Sequence, residues 1–279
     1  MTHTTVTFKG NQTQNELAQR IDMRWLSHAI NENVSSDTAK KTVLQINNET
    51  TMVDDFFTID GDLSKQKVVL ENSTQQMDYL GHSLKHDKEL EVTGDVGHFA
   101  GASLAGGKLI IKGNTKDYAG CSMSAGHLEI MGNTEDYTGG ANAGDKAGMS
   151  GGTILVHGDS RHFTGDLLRR GTIMVVGNIG DYCASRMIAG TITNLGTIGK
   201  QVGVGMRRGT ILLPHKPKDV LTGFHDCGRH NLGYLTLLLD DLRQHDSMFQ
   251  SLHPMRRRVQ RYIGDTTVGG QGELLIWIG

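Results

Sequence analysis

Only 3 of the 279 residues are proline, which excludes a collagen-like or proline-rich disordered chain. No apolar run approaches the roughly 20 residues of a membrane span. Neither charge sign prevails: 28 Lys and Arg stand against 30 Asp and Glu, so bulk charge gives no argument for a nucleic-acid or membrane partner. Cysteine is scarce. Cys121, Cys183 and Cys227 make no CxxC pair and no zinc spacing, and they read as reduced thiols of a cytoplasmic protein. The opening MTHTTVTFKGNQTQNE is polar and lacks the apolar stretch of a signal peptide. Walker A, GxSxG, HExxH and Rossmann signatures are missing from the contexts they require.

What the sequence has in excess is glycine, at 37 residues. Gly94, Gly113, Gly132, Gly158, Gly177 and Gly196 follow one another at intervals of 19, 19, 26, 19 and 19 residues. A second series, Gly107, Gly126, Gly152, Gly171, Gly190 and Gly209, keeps the same rhythm, and two phase-locked series at one period mark a repeat architecture. Between the series lies a short alternating stretch, clearest in GTILVHG and GTIMVVG. Alternation places Leu109/Ile111, Leu128/Ile130, Ile154/Val156, Ile173/Val175 and Ile211/Leu213 on one face, and Thr153, Leu155 and His157 on the other. Gly-Asp or Gly-Asn closes each stretch, as turn residues do. An aromatic sits five residues past the glycine: Phe99, Tyr118, Tyr137, Phe163 and Tyr182.

A 19-residue unit cannot bury its own apolar face. Stacking units at about 4.8 Å lets each strand bond to the units above and below, and the inward Ile, Val, Leu and Met then form ladders through one core. Crossovers between parallel strands of an open sheet need a dozen or more residues, which these units lack. A left-handed hexapeptide helix needs an apolar residue every six positions, and that pattern is absent. The expected fold is therefore an all-β core, a right-handed parallel β-helix of about seven coils, with a small α/β N-terminal cap and a helical C-terminal extension. The expected boundaries are 1–65 for the cap, 66–213 for the β-helix and 214–279 for the extension. Thr5 to Lys9 reads as a strand and Asn15 to Ile30 as a helix with Leu17, Ile21, Trp25 and Leu26 on one face. Val68-Val69-Leu70 and Tyr79-Leu80-Gly81 read as one degenerate coil. In the extension, a helix is expected over Leu232 to Leu242 and a closing strand over Glu273 to Ile278. GGANAGDKAG, inserted between Gly139 and Gly148, reads as a flexible corner loop.

The search for chemistry yields one surface feature. Arg169-Arg170 and Arg207-Arg208 occupy the same repeat position two units apart, about 10 Å along the stack, and Arg186 belongs to the corner of the unit between. Arg256, Arg257, Arg258 and Arg261 are candidates to extend this patch. It reads either as a solvated edge that blocks strand pairing or as a dock for an acidic partner or polyanionic ligand. His225, Cys227 and His230 form HxCxxH, which is not a standard zinc pattern; a polar turn before a helix is the plainer reading. No residue is singled out as catalytic and none as a metal ligand.

The unit Gly-x-[Leu/Ile]-x-[Ile/Val]-x-Gly-[Asp/Asn] resembles the glycine-repeat domain of glutamate synthase large subunits. It also resembles the glycine-repeat subunit of formylmethanofuran dehydrogenase and of the related bacterial formyltransferase/hydrolase complex. The second likeness runs through GGANAGDKAGMSGG, LLRRGTIMVVG, SRMIAGTI and MRRGTILL, and the tail from FHDCGRHNLGYL to GDTTVGGQGELLI looks like the bacterial form. Upstream, VDDFF (Val53 to Phe57) is the stretch that matches. The resemblance implies a non-catalytic cytoplasmic member of a one-carbon complex. Its partners would be three further polypeptides: one amidohydrolase-like, one related to molybdenum or tungsten enzymes, and one formyltransferase. The complex would move a formyl group from tetrahydromethanopterin to a methanofuran-type carrier and release formate. This chain would bind no cofactor of its own beyond holding the carrier's acidic tail on Arg169, Arg170, Arg186, Arg207 and Arg208. Three other readings stay open: the equivalent subunit of a true formylmethanofuran dehydrogenase, an independent carbohydrate-processing β-helix enzyme, and a glutamate-synthase-like spacer. The outward strand positions are mixed (Lys108, Lys112, Glu129, Thr153, His157 and Thr172), which disfavours the carbohydrate enzyme; the tail disfavours the spacer.

Overall fold

A computed structural model describes residues 3–10, 20–46, 49–220, 222–253 and 255–278. The N-terminal part runs through β1 (Thr4–Phe8), β2 (Ile21–Asp22), α1 (Arg24–Asn31), α2 (Ser36–Lys40), β3 (Val43–Ile46), β4 (Glu49–Met52), α3 (Val53–Phe56) and β5 (Phe57–Asp60). The repeats supply β6 (Lys67–Ser73), β7 (Met77–Asp78), β8 (Glu89–Gly94), β9 (Ala105–Lys112), β10 (Ala125–Ile130), β11 (Ser150–Val156), β12 (Arg170–Val175), β13 (Thr191–Asn194) and β14 (Thr210–Leu213). The tail adds β15 (His225–Asn231), α4 (Leu235–Leu242), β16 (Arg258–Gly264) and β17 (Gly272–Trp277).

The fold is mostly β, and among the described residues 13 strands join one mixed sheet in the order β15-β16-β17-β14-β13-β12-β11-β10-β9-β8-β6-β1-β5. Every pairing from β1/β6 to β14/β17 is parallel; β5 at one end and β16 and β15 at the other are antiparallel. The register follows the glycine period. Leu109, Leu128, Ile154, Ile173, Ile192, Ile211 and Leu274 are successive partners across the ladder. Each is buried, as are the inward partners Ile111, Ile130, Val156, Val175 and Leu213. Their apolar area is the main source of stabilisation, worth about 1.5–3 kcal/mol for each fully buried side chain.

Two further rows tie successive repeats together. Isolated parallel bridges link Thr115, Thr134, Ser160, Ile179 and Ile198. At the turn after each strand, the Asp95, Asn114, Asn133, Asp159 and Asn178 side chains each accept the backbone N–H one repeat on, at 2.6–2.9 Å. The aromatic positions hold a finding the sequence did not announce. Tyr79, Phe99, Tyr118, Tyr137, Phe163 and Tyr182 all have φ near +60°, a conformation that costs an L-residue roughly 1–2 kcal/mol. Their rings offset this by stacking in one column, with centroids 4.7–5.0 Å apart, and Arg24 covers the Tyr79 ring at 4.8 Å.

The tail closes a second apolar layer. Leu155, Met174, Leu212 and Leu275 point away from the repeat core, yet they are buried under Leu235, Leu239, Leu242, Phe249 and Leu252. Three expectations need correction. Ile21 lies in β2, paired with Met77, so the helix begins only at Arg24; Asn15 to Gln19 lie outside the described residues. The helix expected from Leu232 starts at Leu235, behind a turn in which the Leu235 N–H bonds the Leu232 carbonyl. FHDCGRH forms no polar turn: His225–Asn231 is strand β15, and a bulge between Asp226 and Arg229, with Gly228 at φ 83°, hides its alternation. No described helix is long and apolar enough to cross a membrane.

Candidate functional site

The parallel register builds the arginine edge. The Arg169 N–H bonds the Met149 carbonyl at 2.9 Å, the Ile188 N–H the Leu168 carbonyl at 2.8 Å, and the Arg207 N–H the Met187 carbonyl at 2.8 Å. Arg169 and Arg207 therefore share one row with Ile188 between them; Arg170 and Arg208 occupy the next, with Ala189 between. All four side chains are exposed, and among the described residues none of them forms an ion pair.

Arg207 and Arg208 border an open groove of about 480 Å³ with Ile188, Val268, Gly269 and Gln271. The far wall is a turn fixed by the buried Asp265. Its carboxylate accepts the Gly205 N–H at 3.1 Å, the Thr267 N–H at 3.0 Å and the Thr267 hydroxyl at 2.6 Å. Burial alone would raise this carboxyl's pKa, but these hydrogen bonds outweigh burial and hold it below the usual range. The Gln271 N–H closes the wall on the Arg207 carbonyl at 2.7 Å. Sequence reading missed this wall, because the tail carries no repeat that would place it beside β14.

Arg186 stands apart from the other four. Its Nε and Nη2 donate to the two oxygens of Asp166 at 3.0 and 2.5 Å, and the Asp166 side chain is only 3% exposed. Its charge is committed to a buried carboxylate. Arg261 pairs with Glu273 and Arg256 lies 4.7 Å from the Trp277 ring centroid, so neither is a free cation. Arg258 lines a separate recess with Arg229, His230, Asn231 and Ile278.

The other motifs place as follows. His225 Nε2 meets the Thr266 hydroxyl at 3.2 Å, Cys227 Sγ the His225 carbonyl at 3.5 Å, and His230 Nε2 the Cys227 carbonyl at 3.0 Å. Among the described residues no three His, Cys, Asp or Glu side chains are placed to hold a metal. The inserted loop is bonded to the preceding repeat: Asn142 donates to the Ser122 hydroxyl at 3.2 Å, Ser122 to Asp145 at 3.3 Å, and Cys121 Sγ to Asn142 at 3.4 Å.

The pattern of repeats and glycine turns has relatives. The GXGXG motif model matches residues 26–226, from α1 to the start of β15. This chain belongs to the GXGXG motif family. A solved relative resembles it over nearly its full length: a chain of the formyltransferase/hydrolase complex (FhcABCD) from Methylorubrum extorquens, in complex with methylofuran. The two are 30% identical, the match covers 99% of this chain and 100% of that one, and the TM-score is 0.87. Comparison with curated proteins gives no match. The family match ends near the bulged β15, whereas the structural match continues through the tail that walls the arginine groove.

Proposed function

We propose that this chain is the glycine-repeat subunit of a cytoplasmic formyltransferase/hydrolase complex, and that it acts there as a non-catalytic scaffold. The observation that carries this reading is the end-to-end likeness, tail included, to one chain of a solved complex of that kind. On this reading the ladder of parallel strands and bridges is a right-handed parallel β-helix of about seven coils, capped by residues 1–65 and extended by residues 214–279. Its partners are three further polypeptides: one amidohydrolase-like, one related to molybdenum or tungsten enzymes, and one formyltransferase. Together they pass formyl groups from tetrahydromethanopterin to a methanofuran-type carrier and on to formate.

Within that assembly, Arg169, Arg170, Arg207 and Arg208 hold an acidic tail of the carrier. Four exposed guanidiniums without carboxylate partners among the described residues, two of them lining a groove, support this role, since guanidinium pairs carboxylate in a two-pronged fashion. Arg186 drops out of the binding set because Asp166 holds it.

The test is formate release from a formyl donor, measured for the isolated chain, for the other subunits alone and for the reconstituted set. Release by the full set only supports the scaffold reading. Release by the isolated chain overturns it. Within the reconstituted set, reversing Arg170 and Arg208 to glutamate is expected to weaken carrier retention at least about tenfold, as loss of charge-assisted bonds implies.

A further inference from the structure

Three histidines and one carboxylate meet where the tail crosses the repeats, away from the arginine edge. Glu129, on the outward face of β10, is the register partner of Leu155. Its carboxylate lies 3.0 Å from His157 Nε2, just past the end of β11, and 3.6 Å from His127 Nε2 on β10. All three side chains are largely sheltered, at 15–22% exposure. Against the His127 ring lies that of His245, from the segment after α4. The two rings are parallel, with centroids 5.2 Å apart and planes 2° apart. That segment continues into Phe249 and Leu252, which cover Leu155, Met174, Leu212 and Leu275.

We propose that this cluster is a pH-operated clasp: the uncharged His245 ring, stacked on His127, holds the segment 243–253 against β10 and β11, and proton uptake by His245 releases it.

The argument is one of charge. Glu129 carries a single negative charge, and it already faces two imidazoles, His157 and His127. A further proton on His245 places a cation face to face with the His127 ring, where a second charge meets like charge in a partly sheltered site. The other charged groups nearby do not relieve this. Lys108 on β9 is the register partner of His127 and adds positive charge. Asp241 on α4 acts on His245 only as a weaker counterweight. Arg243 is turned to Asp240 and the Gln250 carbonyl, and β11 contributes the uncharged Thr153 beside His127.

Burial first, and His127 second, lower the pKa of His245 in the docked state, so the released segment binds protons more readily. The clasp is therefore complete above the free-histidine value of roughly 6.5 and weakens as pH falls through it. Glu129 keeps its charge throughout that window, because its interactions with His127 first and with His157 next outweigh burial and bring it down to about 2. Sequence reading left Glu129 and His157 among mixed outward residues and did not single out His127, since nothing in the repeat places His245 above them.

Hydrogen exchange of peptides spanning 243–253 in the full-length chain, corrected for intrinsic rates, tests the clasp at about pH 7.5 and about pH 5.5, one unit either side of the free value. Protection of this segment is expected to fall up to about tenfold on acidification, the limit for one linked proton over this range, while peptides of β10 to β12 stay protected. His245→Phe keeps a ring on His127 without a titrating nitrogen and is expected to hold its protection at the lower pH. His245→Gln, which also lacks a titrating nitrogen, provides the same reading if that variant folds poorly. Equal protection of the wild type at both pH values overturns the proposal, and so does an equal loss in wild type and His245→Phe.

Discussion

Replacing Gly113 with alanine measures how closely successive repeats sit. A Cβ at Gly113 would lie 2.2 Å from the Gly94 carbonyl oxygen, 2.4 Å from its carbon and 2.7 Å from the Asp95 nitrogen. These are backbone atoms of the preceding repeat, so no side chain can swing aside. Even close C···O contacts in proteins lie at about 3.3–3.6 Å, so the methyl overlaps by about 1 Å. Relief requires prising the two repeats apart at the turn. That strains the Val96 N–H to Asn114 carbonyl bond of 2.9 Å and the Asn114 N–H to Asp95 bond of 2.8 Å. Overpacking costs about 1–3 kcal/mol, and two weakened bonds add about 1 kcal/mol each, for an expected loss of about 3–5 kcal/mol. The control is Gly233→Ala, where a Cβ meets nothing within 4 Å and the change is expected to be neutral or slightly stabilising. Urea unfolding followed by circular dichroism reads the difference, with slopes compared because stacked repeats need not unfold as one unit. A Gly113→Ala chain within about 0.5 kcal/mol of the Gly233→Ala chain would refute the close backbone approach.

Three other expectations follow from individual side chains. Burial pushes the Cys121 and Cys183 thiols up to about 12, whereas Cys227 is exposed; a thiol reagent near pH 8, where an unperturbed thiol of pKa about 8.5 is partly ionised, should label one cysteine in the folded chain and three after unfolding, and rapid labelling of a second would contradict the burial. Glu129, held down to about 2 by His127 and then His157, contributes stability that is present above its ordinary value of 4.5 and is lost as pH falls towards 2. Glu129→Gln should flatten that part of the stability profile, by about 1–2 kcal/mol once solvent screening is allowed for; an unchanged slope would contradict the pairing. Arg186→Ala strands the buried Asp166 carboxylate and should destabilise by about 1–3 kcal/mol, discounted because the guanidinium is exposed; adding Asp166→Asn should recover part of the loss, and a double variant no more stable than Arg186→Ala would count against the pairing.

The repeat was legible because its signal is periodic and physical. Leu128 and Ile154 could be paired from glycine spacing alone, across the seven extra residues of the insertion, since a slip of one residue would turn every Ile and Val outwards. The row position of Arg169 and Arg207 followed from the same register. What the register cannot tell is what covers its outward face. Leu155 was correctly placed facing away from the repeat core, but its burial depends on Leu239 and Phe249, which belong to no repeat. Arg186 looked equivalent to its neighbours in sequence; only the structure brings Asp166, twenty residues earlier, beneath it. The groove wall at Val268 and Gly269 and the His245 contact were invisible for the same reason. β15 was misread because an extra residue at Gly228 breaks the two-residue alternation by which strands are recognised.

The central claim is that this chain works as a scaffold within a larger one-carbon assembly, and the most direct measurement is mass spectrometry of the native assembly, isolated by a tag on this chain from its own host. The account predicts stoichiometric recovery of amidohydrolase-like, formyltransferase and molybdenum- or tungsten-enzyme-like polypeptides together with this chain. Recovery of this chain alone, folded and without partners, would contradict it.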